Sequence, residues 1–193
     1  MDRVQSLELL REYIKNPALI RHCLSVEAAM ARYAQRYGED EALWRLTGLL
    51  HDFDYERFPE SPAHTREGAR ILRERGVDEV VVEAILSHAE WNLEKYPRDT
   101  LLRKTLFAVD ELCGFLYAVA MVRPQRIVGM AAKSVKKKLK QKSFAAAVSR
   151  EDIERGTALL GLELDEHINE CVAAMATIAE ELDLTPPTTT GDS

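Results

Sequence analysis

Apolar residues along this chain recur at intervals of three and four, and nowhere alternate with polar ones over a strand's length. Leu19, Cys23, Val26, Met30 and Tyr33 trace one helical stripe, and Leu43, Leu46 and Leu50 a second. Val81, Ile85 and His88 form a third, and Leu106, Asp110, Cys113 and Tyr117 a fourth. The pattern predicts nine helices, the first over 3–15. Asn16-Pro17 supplies a cap and a first-turn proline for the second, which runs to Tyr37 and stops at Gly38. The third spans 40–52, and 53–61 reads as a loop. Ser61-Pro62 repeats the cap-and-proline signal for a helix ending at Gly76, followed by one over 78–91 and a loop at 93–98. Asp99 or Thr100 caps a long helix that ends before Pro124, and the next runs from Pro124 to Lys142. Ser149 to Asp152 approximates a capping box for a helix up to Gly161, and 165–182 forms the last. The expected fold is all-α: a single-domain helical bundle over 1–184, with the proline- and threonine-rich 185–193 as a disordered tail.

Hydrophobic content of 46% over 193 residues is enough for a substantial core. The net charge of −6 argues against a surface that attracts nucleic acid or anionic membrane. Cys23, Cys113 and Cys171 each fall in an apolar helical pattern and form no CxxC pair, so they read as reduced core thiols of a cytoplasmic protein. The start, MDRVQSLELLREYI, has no signal-peptide layout. The most apolar stretch, Thr105 to Val122, is interrupted by Asp110 and Glu111, which argues against a membrane span.

Within this helical frame, His22, His51-Asp52, His64, His88 and Asp110 form one ordered series that holds four of the five histidines. Imidazole and carboxylate together suit zinc, iron, manganese and related cations. Each member has a plainer alternative. His22 is then a hydrogen-bonded core histidine, His51-Asp52 a surface pair at a helix end, and His64 a solvated helix start. Asp110 becomes the acid of a buried ion pair with Arg103 or Arg70. Asp110 weighs most, because an ionised carboxylate amid Leu106, Cys113 and Tyr117 is costly unless a cation, a metal or a proton neutralises it. Three helices turn a histidine or aspartate inward and a fourth ends in His-Asp. Core packing does not require that, and a bound cation does.

The order His, His-Asp, Asp on successive helices resembles the HD-domain superfamily of metal-dependent phosphohydrolases, over residues of about 17–122. The strings LLHDFDYERFP, AILSHAEW, FAVDELCGF and KSVKKKLK are also similar to a bacterial and archaeal group of predicted HD-superfamily hydrolases. Phe53-Asp54 stands where the commonest HD variant has Ile-Gly. The resemblance implies one divalent transition metal (Fe, Mn, Zn, Co or Ni) held by His22, His51, Asp52 and Asp110. It implies a second held by His64, His88 and the shared Asp52. The implied reaction is cleavage of a nucleotide-like phosphate mono- or diester by a metal-activated hydroxide. Asp52 and Asp54 are the candidate catalytic carboxylates, Asp54 as a general acid or as a carboxylate behind the ligands, with a solvated residue at the start of a loop as its plainer alternative. The alternative functions are a di-iron oxygenase using the same six ligands and a non-catalytic nucleotide-binding sensor.

Outside the series, Lys133, Lys137 and Lys140 share a helix face and are expected to bind the phosphate of a small substrate. Arg126 and Arg123 are weaker candidates for that task, and a solvated helix end is the alternative for the lysines. No aromatic residues interleave with the lysines, which argues against nucleic acid as the partner. His167 reads as an ordinary surface or hydrogen-bonded residue, and Trp91 either lines the pocket or closes the core.

Overall fold

The computed structural model of the protein describes residues 1–187, and every regular element among them is helical. In chain order these are α1 (Arg3–Tyr13), α2 (Pro17–Tyr37), α3 (Glu41–Leu50), α4 (Ala63–Glu74) and α5 (Glu79–His88). After a short 3₁₀ turn at Glu90–Asn92 come α6 (Leu101–Met121), α7 (Ala132–Leu139), α8 (Arg150–Leu159) and α9 (Leu164–Ala176). The two longest helices, α2 and α6, are 21 residues each, hence about 31 Å long, and they pack on each other. Helices α3 and α5 join them, with α1 on α3 and α4 on α5, while α8 packs on α6, α9 on α2 and α7 on α9.

Local chemistry explains where most helices begin. Asn16 accepts the Ala18 N–H, Asp40 those of Ala42 and Leu43, Thr100 that of Arg103, and Ser149 that of Asp152. Helix α1 opens with a full capping box between Asp2 and Gln5. Burial of Tyr33, Phe53, Phe115, Leu10 and Leu50 supplies core energy at roughly 1.5–3 kcal/mol for each large side chain. Helix α3 lies so close to α2 that a Cβ at Gly48 would come within 2.9 Å of the Met30 side chain and the Val26 carbonyl. That approach seats the end of α3 beside His22.

Several predicted boundaries move. Pro124 does not open α7: residues 122–131 are turns, with Arg126 and Gly129 in the left-handed region at φ 48° and 61°. The Arg123 guanidinium holds that turn by donating to the carbonyls of Arg126 and Val128. The last helix ends at Ala176, and turns carry the chain on to Asp183. Helix α3 ends at Leu50, leaving His51 and Asp52 in the turn beyond it. Ser61 makes no cap for α4; a distant carboxylate takes that role, as described below. Of the expected tail, residues 188–193 lie outside the described residues. No helix among the described residues is long and apolar enough to cross a membrane. All three cysteines are buried and free.

Candidate metal centre

Five segments converge on one point: α2 with His22, the turn after α3 with His51 and Asp52, the start of α4 with His64, the end of α5 with His88, and the middle of α6 with Asp110. Asp52 is the hub. Its Oδ2 lies 3.5 Å from His51 Nε2 and 3.8 Å from His22 Nε2. Its Oδ1 lies 3.3 Å from His64 Nε2 and 3.4 Å from His88 Nε2. Asp110 Oδ1 stands 3.0 Å from His22 Nε2 and 3.5 Å from His51 Nε2, and those two nitrogens are 3.2 Å apart. Each Asp52 oxygen thus faces its own pair of imidazoles.

The outer nitrogens show which way the rings are wired. His51 Nδ1 donates to the Gly48 carbonyl at 2.8 Å, His88 Nδ1 to the Ile85 carbonyl at 2.6 Å, and His64 Nδ1 to Asp54 Oδ1 at 2.9 Å. A proton fixed on Nδ1 leaves the Nε2 lone pair pointing inward, the arrangement that metal-binding imidazoles need. Asp52 Oδ1 is buried and accepts no hydrogen bond. An orphan buried acceptor costs about 1–3 kcal/mol, more when charged. Ligand atoms about 2.1 Å from a shared ion stand roughly 3–3.5 Å apart, which matches most of these separations. The residues present therefore fit a divalent cation.

Without an ion, protons take its place. Burial alone would lower His51, but the Asp52 and Asp110 carboxylates outweigh it and raise it to about 9. Burial also opposes the charge on His64, and Asp52 and Asp54 raise it to about 9. Burial likewise works against charge on Asp52 and Asp110, yet the facing imidazoles hold both below the usual carboxylate range.

Behind the ligands lies a supporting layer that sequence reasoning only partly found. Asp54 is buried; its Oδ1 takes His64 and its Oδ2 accepts the backbone N–H groups of Thr65 and Gly68, both at 2.9 Å. Both oxygens are engaged in capping α4 and aiming His64, which supports the reading of Asp54 as a carboxylate behind the ligands over that of a general acid. Only glycine fits at 68, since a Cβ there would sit 2.7 Å from Asp54 Oδ2. Thr65 has φ 68°, in the left-handed region where a β-branched residue costs about 1–3 kcal/mol. Asp54 and the Asn92 amide, which donates to Thr65 Oγ1 at 2.8 Å, hold it there. Arg98 stacks on Phe107 and donates to the carbonyls of Ser87 and His88, fixing the end of α5. Glu111, beside Asp110, accepts the Ser149 N–H, and burial together with the Asp110 charge pushes its carboxyl up to about 7. Tyr55 and Trp91 meet the His64 ring edge-on at 5.1 and 6.0 Å and are each 40% exposed, so Trp91 lines the rim and does not close the core.

The plainer alternative for Asp110 fails, because Arg103 pairs with Glu83 and Asp99, and Arg70 with Glu67 and Glu74. Lys133 and Lys137 are exposed on α7 and Lys140 at its C-terminal end, and no hydrogen bond or ion pair among the described residues joins them to the ligands, which leaves the phosphate role expected of them open to a bound substrate. Lys140 instead lines an apolar cleft of about 580 Å³ with Lys136, Lys142 and Arg150. Arg126 donates to the Met121 carbonyl, 11 residues past Asp110 along α6, which is about 16 Å away at 1.5 Å per residue. His167 is buried outside the centre, bonded to Tyr33 and to the Ala108 carbonyl.

No solved structure matches the chain. The family model described as HD domain matches residues 19–114, a span that contains all six converging residues. HD domains bind divalent metals and make up a superfamily of metal-dependent hydrolases. Helical fold, ligand order and family match agree: the chain carries an HD domain.

Proposed function

We propose that the protein is a phosphohydrolase that cleaves a small phosphate mono- or diester, nucleotide-like esters being the first to test. The observation that carries this reading is the placement of Asp52, whose two oxygens each face a separate histidine pair. His22, His51, Asp52 and Asp110 would hold one divalent ion, and Asp52, His64 and His88 a second. Bound there, the ions supply Lewis acidity toward a phosphoryl oxygen and lower the pKa of a water toward neutrality. The chain's own residues set the rest. His51 is fully buried, whereas the His22 and Asp110 side chains are 20% and 21% exposed, so that edge of the centre is open to solvent. Asp54, Arg98 and the Gly48 carbonyl keep the imidazoles oriented before the substrate arrives. The test is a panel of aryl phosphates and nucleotides with protein loaded in turn with Mn, Co, Ni, Zn and Fe. Phosphate release that His51→Ala abolishes is the expected result. Silence across the whole panel would overturn the reading. Iron-dependent oxygen consumption would replace it with the oxygenase, and tight nucleotide binding without turnover with the sensor.

A further inference from the structure

A cleft of about 380 Å³ opens beside His64, between α4 and the turn at 91–96, and its walls include Arg66, Arg73, Trp91, Lys95 and Tyr96. Arg66 follows His64 by two residues. Its Nε donates to Asn92 Oδ1 at 3.2 Å. Asn92 is buried, and its amide nitrogen donates to Thr65 Oγ1 and to the Leu86 carbonyl at 2.8 and 3.0 Å. One buried amide therefore ties Arg66 to the segment that carries His64 and to the helix that carries His88. The guanidinium is oriented from behind, and among the described residues its terminal nitrogens make no hydrogen bond.

Arg66 also differs from the arginines around it in its charge environment. Arg70, Arg73, Arg75, Arg98 and Arg103 each have a carboxylate partner, and no ion pair among the described residues includes Arg66. Lys95 has none either and lies over the Tyr96 ring at 5.2 Å. Glu79 neutralises Arg73, leaving Glu94 as the opposing charge in the walls. A pre-aimed arginine without a carboxylate, in a chain of net charge −6, is poised for an anion from outside. Trp91 joins the two places, lining the cleft and touching the His64 ring.

We propose that this cleft binds a second anionic group of the substrate, a phosphate or carboxylate remote from the reacting ester, with Arg66 as its ligand and Trp91 as the wall between the two sites. The substrate class is then a small molecule with two anionic groups. The proposal rests on the phosphohydrolase reading for which group reacts, and not for the binding itself.

Trp91 gives a direct readout, because the other tryptophan, Trp44, is buried in the core. Metal-loaded protein is titrated with a hexose 1,6-bisphosphate and a hexose 6-phosphate while tryptophan emission is followed. The bisphosphate should bind about tenfold more tightly, the yield of one charge-assisted contact. Arg66→Ala should erase that preference while leaving monophosphate affinity and metal content unchanged, and Arg66→Lys should restore part of it. If Arg66→Ala disturbs metal content, Lys95→Ala is the second variant and should weaken the bisphosphate alone. Equal affinities in the unaltered protein, or a preference that survives in Arg66→Ala, would overturn the proposal. Preference without turnover of any ester leaves the cleft standing and removes the hydrolase reading. Turnover of monophosphates without the preference does the reverse.

Discussion

The bundle buries histidine in two places, and the two differ in what the imidazole lone pairs meet. His167 is bonded on both sides: Nε2 faces the Ala108 carbonyl at 3.0 Å, so it carries the proton, and Nδ1 lies 2.6 Å from the Tyr33 hydroxyl. Nothing there is left over. Around Asp52, the Nδ1 atoms of His51, His64 and His88 are equally well bonded, but the Nε2 atoms turn inward, that of His51 toward His22 and the two carboxylates and those of His64 and His88 toward Asp52 Oδ1, which accepts no hydrogen bond. Burial and helical spacing are alike in both places. Unsatisfied convergence separates a site that needs an ion from a core that needs none.

The largest expected break in that contrast is Asp52→Ala, which removes the carboxylate common to both ligand groups. Turnover of any ester found should fall by about a thousandfold, the several kcal/mol that a bound metal supplies. Next come Asp54→Asn and Gly68→Ala, which disturb the aim of His64 without touching an ion. Affinity for the ion at the His64–His88 side should drop by about 10–100-fold in a chelator competition, with the His22–His51 side spared. In the other cluster, Tyr33→Phe should lower stability by about 1–3 kcal/mol in urea unfolding, by leaving His167 Nδ1 unsatisfied, while metal content stays the same. A change in metal content there would erase the distinction between the clusters. The smallest effect is in protons. His51 and His64 have values raised to about 9 in the ion-free protein, so at pH 7 both are protonated and an ion must displace those protons. Calorimetry in buffers of different ionisation enthalpy should show proton release, with apparent affinity rising as pH goes up and levelling off above about pH 9.

The sequence reading found what local chemistry encodes. Asn16-Pro17, Asp40, Thr100 and Ser149 announce helix starts because their partners are two or three residues away. The 3.6-residue period placed His22, His88 and Asp110 on inward helix faces, while their grouping with His51, Asp52 and His64 came from the resemblance to HD domains. The misses share one cause. The start of α4 is set by Asp54, 11 and 14 residues distant from the N–H groups it takes. Arg98 reaches back 10 and 11 residues to hold α5, and Arg66 depends on Asn92, 26 residues on. No periodicity carries such contacts. The lysine face was visible as a charge pattern, but its position relative to the ligands depends on the turns at 122–131, where Arg126 is left-handed and Pro124 opens no helix.

The bare oxygen of Asp52 is best tested by elemental analysis of protein purified without a histidine tag, beside Asp52→Asn prepared in the same way. One or two equivalents of a transition metal in the unaltered protein, and a loss of most of it in the variant, is the expected result. A protein that stays metal-free after loading with each of Mn, Fe, Co, Ni and Zn, or an Asp52→Asn variant that retains the full complement, would contradict it.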